Sequence, residues 1–294
     1  MTEEEINRIQ SGINTRPIED FDNLSLADIN YLIYSPFSKE SIIQFKDKPK
    51  KEKLDKIGFL NLIEYLLKIL KEENEVKLTK WNNINTKLAT EIYHKNFTDE
   101  FVIVLKKRKI YKQDDMLSLQ NAMIILNNLT KITKVRKNKL SLTKKGIEIS
   151  KPDKRTELFH TIFKSYGTKF NWAYHDGFSD ENQIQSTFGY ILYLLLKYGK
   201  EERSANFYAQ KIDKAFPQIK DQFHSNWSTP EKQLKSCLSV RCFERFLQWF
   251  DFVSVRKIRG ELGIDDTFIK TNLLEDFLSI NTNNFKFKMR KFYA

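Results

Sequence analysis

The stretch Ile132-Thr-Lys-Val-Arg-Lys-Asn-Lys-Leu-Ser-Leu-Thr-Lys-Lys-Gly-Ile147 constrains the fold of this chain more than any other. It follows an apolar helical pattern and alternates apolar with polar residues on both sides of Lys137-Asn138, a polar pair of the kind a tight hairpin requires. Val135 precedes that pair, and Leu140 and Leu142 follow it, so the reading is a two-stranded ribbon with one buried face. Thr143 is then placed to cap a following helix. Upstream, Val76-Lys-Leu-Thr-Lys80 alternates like a short strand and shares Leu-Thr-Lys with the segment Leu140 to Lys144. These two segments are expected to pair as neighbours in one small sheet.

Helical patterns surround the ribbon. Phe59, Leu62, Ile63, Leu66, Leu67 and Leu70 form an apolar stripe at i, i+3, i+4, i+7 spacing, the signature of one buried helix face. Asn85 or Thr86 can cap a second helix carrying Leu88, Ile92 and Tyr93. Thr98 begins another that ends in Lys106-Lys-Arg-Lys109, and after Ser118 a further helix aligns Leu119, Ala122, Met123, Leu126 and Leu129. With only 9 Gly and 6 Pro to make turns in 294 residues, long helices are favoured over a turn-rich β fold.

The same order recurs after Pro152. Thr187 to Lys197 parallels Phe59 to Lys68, each with Tyr-Leu-Leu near its end. A helix over Ser204 to Phe216 is stopped by Pro217, and Thr229-Pro-Glu231 starts the next with Pro in its first turn. Phe252 to Arg256 and Thr267 to Thr271 frame a second ribbon with Gly260, Gly263 and Asp265-Asp266 at its tip, and a helix over Leu273 to Leu278 follows. Before the first unit, Ser25 can cap a helix spanning Leu26, Ile29 and Ile33, ended by Ser35-Pro-Phe37, and the run Lys46 to Lys53 reads as a solvated linker. The expected organisation is an N-terminal helical extension and linker (1–56), a first unit (57–150), and a second helical unit with a C-terminal tail (151–294).

Leu142-Thr143-Lys144-Lys145-Gly146 after a basic ribbon resembles the Leu-Thr-x-x-Gly that ends the wing of many bacterial winged helix-turn-helix regulators. The layout as a whole resembles uncharacterised bacterial proteins built from such units. The resemblance covers 57–149 and, with less specific motifs, 180–280, where Thr271-Asn272-Leu273 lacks the Gly. It implies a mainly α fold with short β-hairpins, arranged as two tandem winged-helix-like units plus the N-terminal extension. It also implies DNA binding by a helix in the major groove, with the wing against phosphate or the minor groove.

Charge agrees with such a partner: 50 basic less 38 acidic residues give +12. The balance is 39 Lys to 11 Arg, however, and Arg is the side chain suited to bidentate phosphate and guanine contacts. A Lys, Asn and Ile bias also follows from AT-rich codons. The candidate nucleic-acid contacts are Lys134, Arg136, Lys137 and Lys139 on the first ribbon; Lys232, Lys235, Arg241 and Arg245 on the helix before the second; and Arg256, Lys257 and Arg259 on the second. The helix before the first ribbon offers Gln120, Asn121, Asn127 and Asn128, able to read adenine but not guanine. The tail Phe285 to Tyr293 interleaves aromatics and cations. It reads first as an edge strand, and alternatively as a stacking surface for single strands.

The residues give little support to catalysis. His94, His160, His175 and His224 lack a zinc-binding spacing, and His175-Asp176 has no matched ligands for a metal-dependent phosphohydrolase. Glu75-Val76-Lys77 resembles the Glu-x-Lys of metal-dependent nucleases, which leaves a remote nuclease alternative. Trp172, Tyr174 and His175 form an aromatic cluster that reads as a plug between domains or a ligand surface. Cys237 and Cys242, five residues apart on a helix, point to different faces and suit neither a disulfide nor a zinc pair. The acidic start Met1-Thr-Glu-Glu-Glu5 is unlike a signal peptide, and the apolar run Tyr190 to Leu196 is too short for a membrane span. The expectation is a cytoplasmic, non-enzymatic protein without a cofactor or membrane association, binding DNA or, in the rival reading, another protein. The oligomeric state is left open.

Overall fold

The computed structural model describes residues 2–98, 110–174, 176–178, 183–224, 228–260 and 263–281. The expected helix from Thr98 to Lys109 and the tail from Phe285 to Tyr293 therefore lie outside the described residues, as does His175. The chain is mainly helical with short hairpins. It forms two compact units: the first comprises residues 1–47, 171–248 and 252–294, and the second 48–170 with 249–251. The cut at Asp47/Lys48 falls within the basic run at 46–53. The extension thus shares a unit with the second half of the chain, whereas the sequence suggested boundaries at 56 and 150.

The extension contributes α1 (Glu3–Thr15), α2 (Leu26–Tyr34) and β1 (Ile43–Phe45). Ser25 caps α2 as its sequence predicts: its hydroxyl accepts the Asp28 N–H at 3.2 Å, and Asp28 accepts the Ser25 N–H at 3.1 Å.

The second unit follows with α3 (Lys51–Leu54), α4 (Gly58–Glu73), β2 (Glu75–Lys77), α5 (Thr86–Lys95), α6 (Leu117–Ile124), β3 (Thr133–Arg136), β4 (Lys139–Leu142), α7 (Lys144–Ile149) and α8 (Arg155–Thr168). The apolar stripe of α4 is buried throughout. Asn85 caps α5 by accepting the Leu88 N–H at 3.1 Å. After α6 the helix widens to π-helical geometry over Ile125–Leu129, and Lys131 takes a left-handed φ of 55° that turns the chain into β3. The sheet order is β2-β4-β3, with Val76 opposite Leu140 and Leu140 opposite Val135. The expected pairing of the first short strand with the returning arm of the ribbon is present. Trp249-Phe250-Asp251 belongs to this unit's core: the Phe250 ring lies 5.1 Å from Phe163 and 5.5 Å from Phe59, and the Phe59 N–H donates to the Trp249 carbonyl at 3.0 Å.

The first unit resumes with α9 (Gln183–Ser186), α10 (Phe188–Tyr198), β5 (Arg203–Ser204), α11 (Ala205–Ala215), α12 (Pro230–Leu238), β6 (Val253–Gly260), β7 (Gly263–Thr271), α13 (Leu274–Phe277) and β8 (Leu278–Ile280). Ser204 and Thr229 cap α11 and α12 through their hydroxyls. The ribbon sheet has the order β5-β7-β6. This repeats the topology of the second unit: a short strand after an apolar helix pairs with the returning arm of a later hairpin. The helix before this hairpin also widens to π geometry, over Ser239–Leu247, and Asp251 (φ 53°) stands two residues before β6, as Lys131 stands two before β3. A further two-stranded sheet pairs β8 with β1, so Leu278 opens a strand rather than closing a helix. Trp172 packs on Phe188 and Phe246 inside this unit, at 5.5 and 5.4 Å between ring centres.

Asp22 fixes the extension in place. It is 5 % exposed and has a left-handed φ of 59°; its carboxylate accepts from Lys197 at 2.8 Å, Lys211 at 2.6 Å and the Tyr198 hydroxyl at 3.0 Å. Burial alone would raise this carboxyl, but the hydrogen bonds from Lys197 and Lys211 outweigh it and hold Asp22 below the usual carboxylate range. Deleting one member of a buried ion pair costs roughly 3–5 kcal/mol. Because the lysine side chains are 31 % and 30 % exposed, Asp22→Asn is expected to cost less, about 2 kcal/mol at neutral pH. A carboxyl depressed in the native state contributes fully above its unfolded value of about 3.9 and loses that contribution as the pH falls through the native value. Denaturant unfolding between neutral pH and pH 2–3 is expected to show a smaller acid loss of stability in Asp22→Asn than in the wild type.

Candidate nucleic-acid interface

Because side chains alternate along a strand, the register of β2-β4-β3 fixes two opposite faces. Val76, Leu140, Val135 and Thr133 point to the core. On the other face, Lys77 lies opposite Lys139 and Lys139 opposite Arg136, which makes a cross-strand row of three cations. The neighbouring row is Glu75, Ser141 and Lys134. Lys77, Lys134, Arg136 and Lys139 are exposed, as is Lys137 at the turn. Lys137 and Asn138 both have positive φ, 51° and 56°, the geometry a two-residue hairpin turn demands.

Like charges directly opposite one another in a sheet destabilise it. Glu75 is the acid of these two rows and pairs with Lys139. Lys77, Lys134, Arg136 and Lys137 pair with no acid among the described residues. Four cations gathered on one face without an acidic partner among the described residues attract anions.

The Leu-Thr-x-x-Gly segment closes this sheet onto α7. The Thr143 hydroxyl accepts the Gly146 N–H at 3.0 Å and donates to the Lys131 carbonyl at 2.8 Å, while the Thr143 N–H donates to the Ile132 carbonyl at 3.0 Å. A Cβ on Gly146 would stand 2.1 Å from that same Ile132 carbonyl oxygen, so no larger residue fits without moving backbone. In the first unit the Asn272 N–H makes the equivalent bond to the Phe252 carbonyl at 2.9 Å, with Glu275 at the position of the glycine.

The helix ahead of the first ribbon is not presented for reading bases. Asn121 is buried and donates to the Tyr166 hydroxyl at 2.7 Å, and Gln120 donates to the Asp114 carbonyl at 3.0 Å. Of the residues suggested there, Asn128 alone is exposed, and Asn127 donates to it at 3.0 Å.

The candidates of the first unit divide. Arg241 is 2 % exposed and forms a completely buried ion pair with Asp176. Its expected role on a nucleic-acid surface is therefore corrected to a structural one, and Asp176, once weighed as a metal ligand, is its partner. Arg256 makes a two-point contact with Glu202, 3.1 Å at Nε, and Lys257 contacts Glu244 at 2.6 Å. Lys232 and Arg259 are exposed; Lys235 and Arg245 are half-buried. The second ribbon thus carries much of its charge already paired, and the first carries most of its charge unpaired.

Among the described residues, no cluster of three or more His, Cys, Asp or Glu is placed to hold a metal. Burial pushes the Cys237 thiol up to about 12 and Cys242 well above the ordinary thiol value, so neither is a thiolate at neutral pH. Among the described residues, no helix is long and apolar enough to cross a membrane. No family model, no curated protein and no solved structure matches this chain.

Sequence reasoning missed Lys77 as part of the cationic face, because the expected pairing of Val76 to Lys80 with Leu140 to Lys144 fixed no register; the observed register sets Lys77 opposite Lys139. It also passed over Trp81, which no apolar pattern claims. Gly146→Ala is expected to destabilise the second unit by at least about 2 kcal/mol, since the added methyl meets backbone rather than a mobile side chain. Amide exchange at Thr143 and a denaturation midpoint measure this; a variant as stable as the wild type contradicts the close-approach account.

Proposed function

We propose that this chain is a non-catalytic nucleic-acid-binding protein with two tandem winged-helix-like units, and that it holds duplex DNA by its phosphates through the β2-β4-β3 face of the second unit. The element order α4, β2, α5, α6, β3, β4 supports the first winged-helix-like unit, and α10, β5, α11, α12, β6, β7 supports the second. The observation that carries the function is the row Lys77, Lys139, Arg136 beside Lys134 and Lys137, with Glu75 as its one acid. Such a surface binds phosphates through charge, without reading sequence. The burial of α6 agrees with this, because the helix that would read bases in the major groove is committed to the core. The reading needs no cofactor.

A second reading applies to the other ribbon. Arg256 and Lys257 are neutralised by Glu202 and Glu244, and Ile258 between Lys257 and Arg259 is 43 % exposed, a composition suited to a protein partner rather than to DNA.

Four unpaired cations predict a slope of about −3 to −4 in log affinity against log salt for a duplex of arbitrary sequence, since each phosphate contact releases about 0.9 of a counterion. Fluorescence anisotropy at several salt concentrations measures it. The double reversal Arg136→Glu and Lys137→Glu is expected to weaken binding at least tenfold and to flatten the slope, whereas Arg256→Glu leaves both nearly unchanged. Binding that is absent at low salt, or that is lost with Arg256→Glu and kept with the 136/137 reversal, contradicts the assignment.

A further inference from the structure

Beside the cationic rows stands a second tight turn. The Asn82 N–H donates to the Thr79 carbonyl at 2.9 Å, the Thr79 N–H donates to the Asn83 carbonyl at 2.8 Å, and Asn82 has a φ of 60°. This is the pattern of a three-residue hairpin loop with a left-handed third residue. Its two corners are Lys80 and Trp81. Trp81 is 75 % exposed, whereas Trp172 and Trp249 are 3 % and 5 % exposed. An indole carries a large apolar surface, and leaving it in water forgoes a substantial gain from burial.

The turn is held against the ribbon tip. The Asn138 side chain donates to the Thr79 carbonyl at 3.2 Å and to the Asn82 side chain at 3.0 Å, and the Leu78 N–H donates to the Asn138 carbonyl at 2.8 Å. At its base, Asn83 donates to the Asp114 carboxylate at 3.1 Å, and the Ile84 N–H donates to Gln113 at 2.7 Å. Trp81 is thus presented on a backbone fixed from both sides, in a turn that Asn138 ties to the tip of the ribbon. The Lys80 ammonium lies 5.1 Å from the centre of the indole ring, which places one more cation at this corner.

We propose that Trp81 is the base-contacting residue of this face, stacking on an unpaired base next to the duplex whose phosphates lie on the cationic rows. The inference rests on the reading that this face binds DNA, and it narrows the substrate to DNA in which duplex adjoins a single-stranded segment. Every base offers a π face to an indole, so the contact is indifferent to sequence. Inside a duplex those faces are occupied by neighbouring bases; in a single-stranded segment beside it they are open. A held turn spends little conformational entropy on making the contact.

The test compares a blunt duplex with the same duplex carrying a single-stranded thymine extension, by anisotropy at low salt. The wild type is expected to favour the extended DNA about tenfold, the order of one stacked base. Trp81→Ala is expected to abolish that preference while leaving the blunt duplex within about twofold, and Trp81→Phe to restore part of it. Because the side chain is exposed, the alanine variant removes no core packing, and an unchanged melting temperature verifies this. Equal wild-type affinity for the two DNAs, or a preference that survives Trp81→Ala, overturns the role of Trp81 while leaving the phosphate reading standing. Loss of both DNAs with Arg136→Glu and Lys137→Glu supports the phosphate reading independently. Absence of salt-sensitive binding to either DNA overturns both.

Discussion

One antiparallel register, Val76 opposite Leu140 opposite Val135, governs the second unit. Strand periodicity is two, so the choice that buries these residues also assembles Lys77, Lys139, Arg136 and Lys134 on the reverse side. A slip by one residue would bury the cations and expose the core, a change no small sheet withstands. Core and charged face are therefore one decision made twice, once by hydrophobic burial and once by electrostatics. The Lys137-Asn138 turn, with both residues at positive φ, pins that register from one end, and the Thr143 and Gly146 contacts with Ile132 and Lys131 pin it from the other.

The two ribbons have the same topology and different charge economies. Each follows a helix that widens to π geometry and a left-handed residue two positions before its first strand, Lys131 in one case and Asp251 in the other. On the second ribbon, Glu202 and Glu244 neutralise cations within the fold, and Arg241 beneath it is a buried partner of Asp176. On the first, Glu75 pairs with Lys139, and Lys77, Lys134, Arg136 and Lys137 meet no acid among the described residues. The same strand topology thus carries opposite surface chemistry in the two units. That contrast, more than total charge, directs the functional reading to the first ribbon.

The first ribbon, its turn, the β2–β4 pairing and the caps at Ser25, Asn85 and Thr143 were legible because each depends on residues a few positions apart or on a simple alternation. What was not legible depends on distant partners. Arg241 looks identical to a surface arginine until Asp176 is brought beside it, and nothing local distinguishes Trp249-Phe250-Asp251, which completes the core of a unit otherwise ending at Phe170. The pairing of β1 with β8 joins segments from opposite ends of the chain, each too short to announce itself as a strand. At the candidate site the cations of the ribbon were visible in sequence. Lys77 required the register to be drawn out in full, and Trp81 required knowing that the residue stands in water.

The most direct test of the account is lysine footprinting, comparing acetylation of the free protein with that of the protein saturated with duplex DNA at low salt. The account predicts strong protection of Lys77, Lys134 and Lys137 and little change at Lys257, which Glu244 already occupies. Unchanged labelling at Lys77, Lys134 and Lys137 in the saturated complex would contradict it.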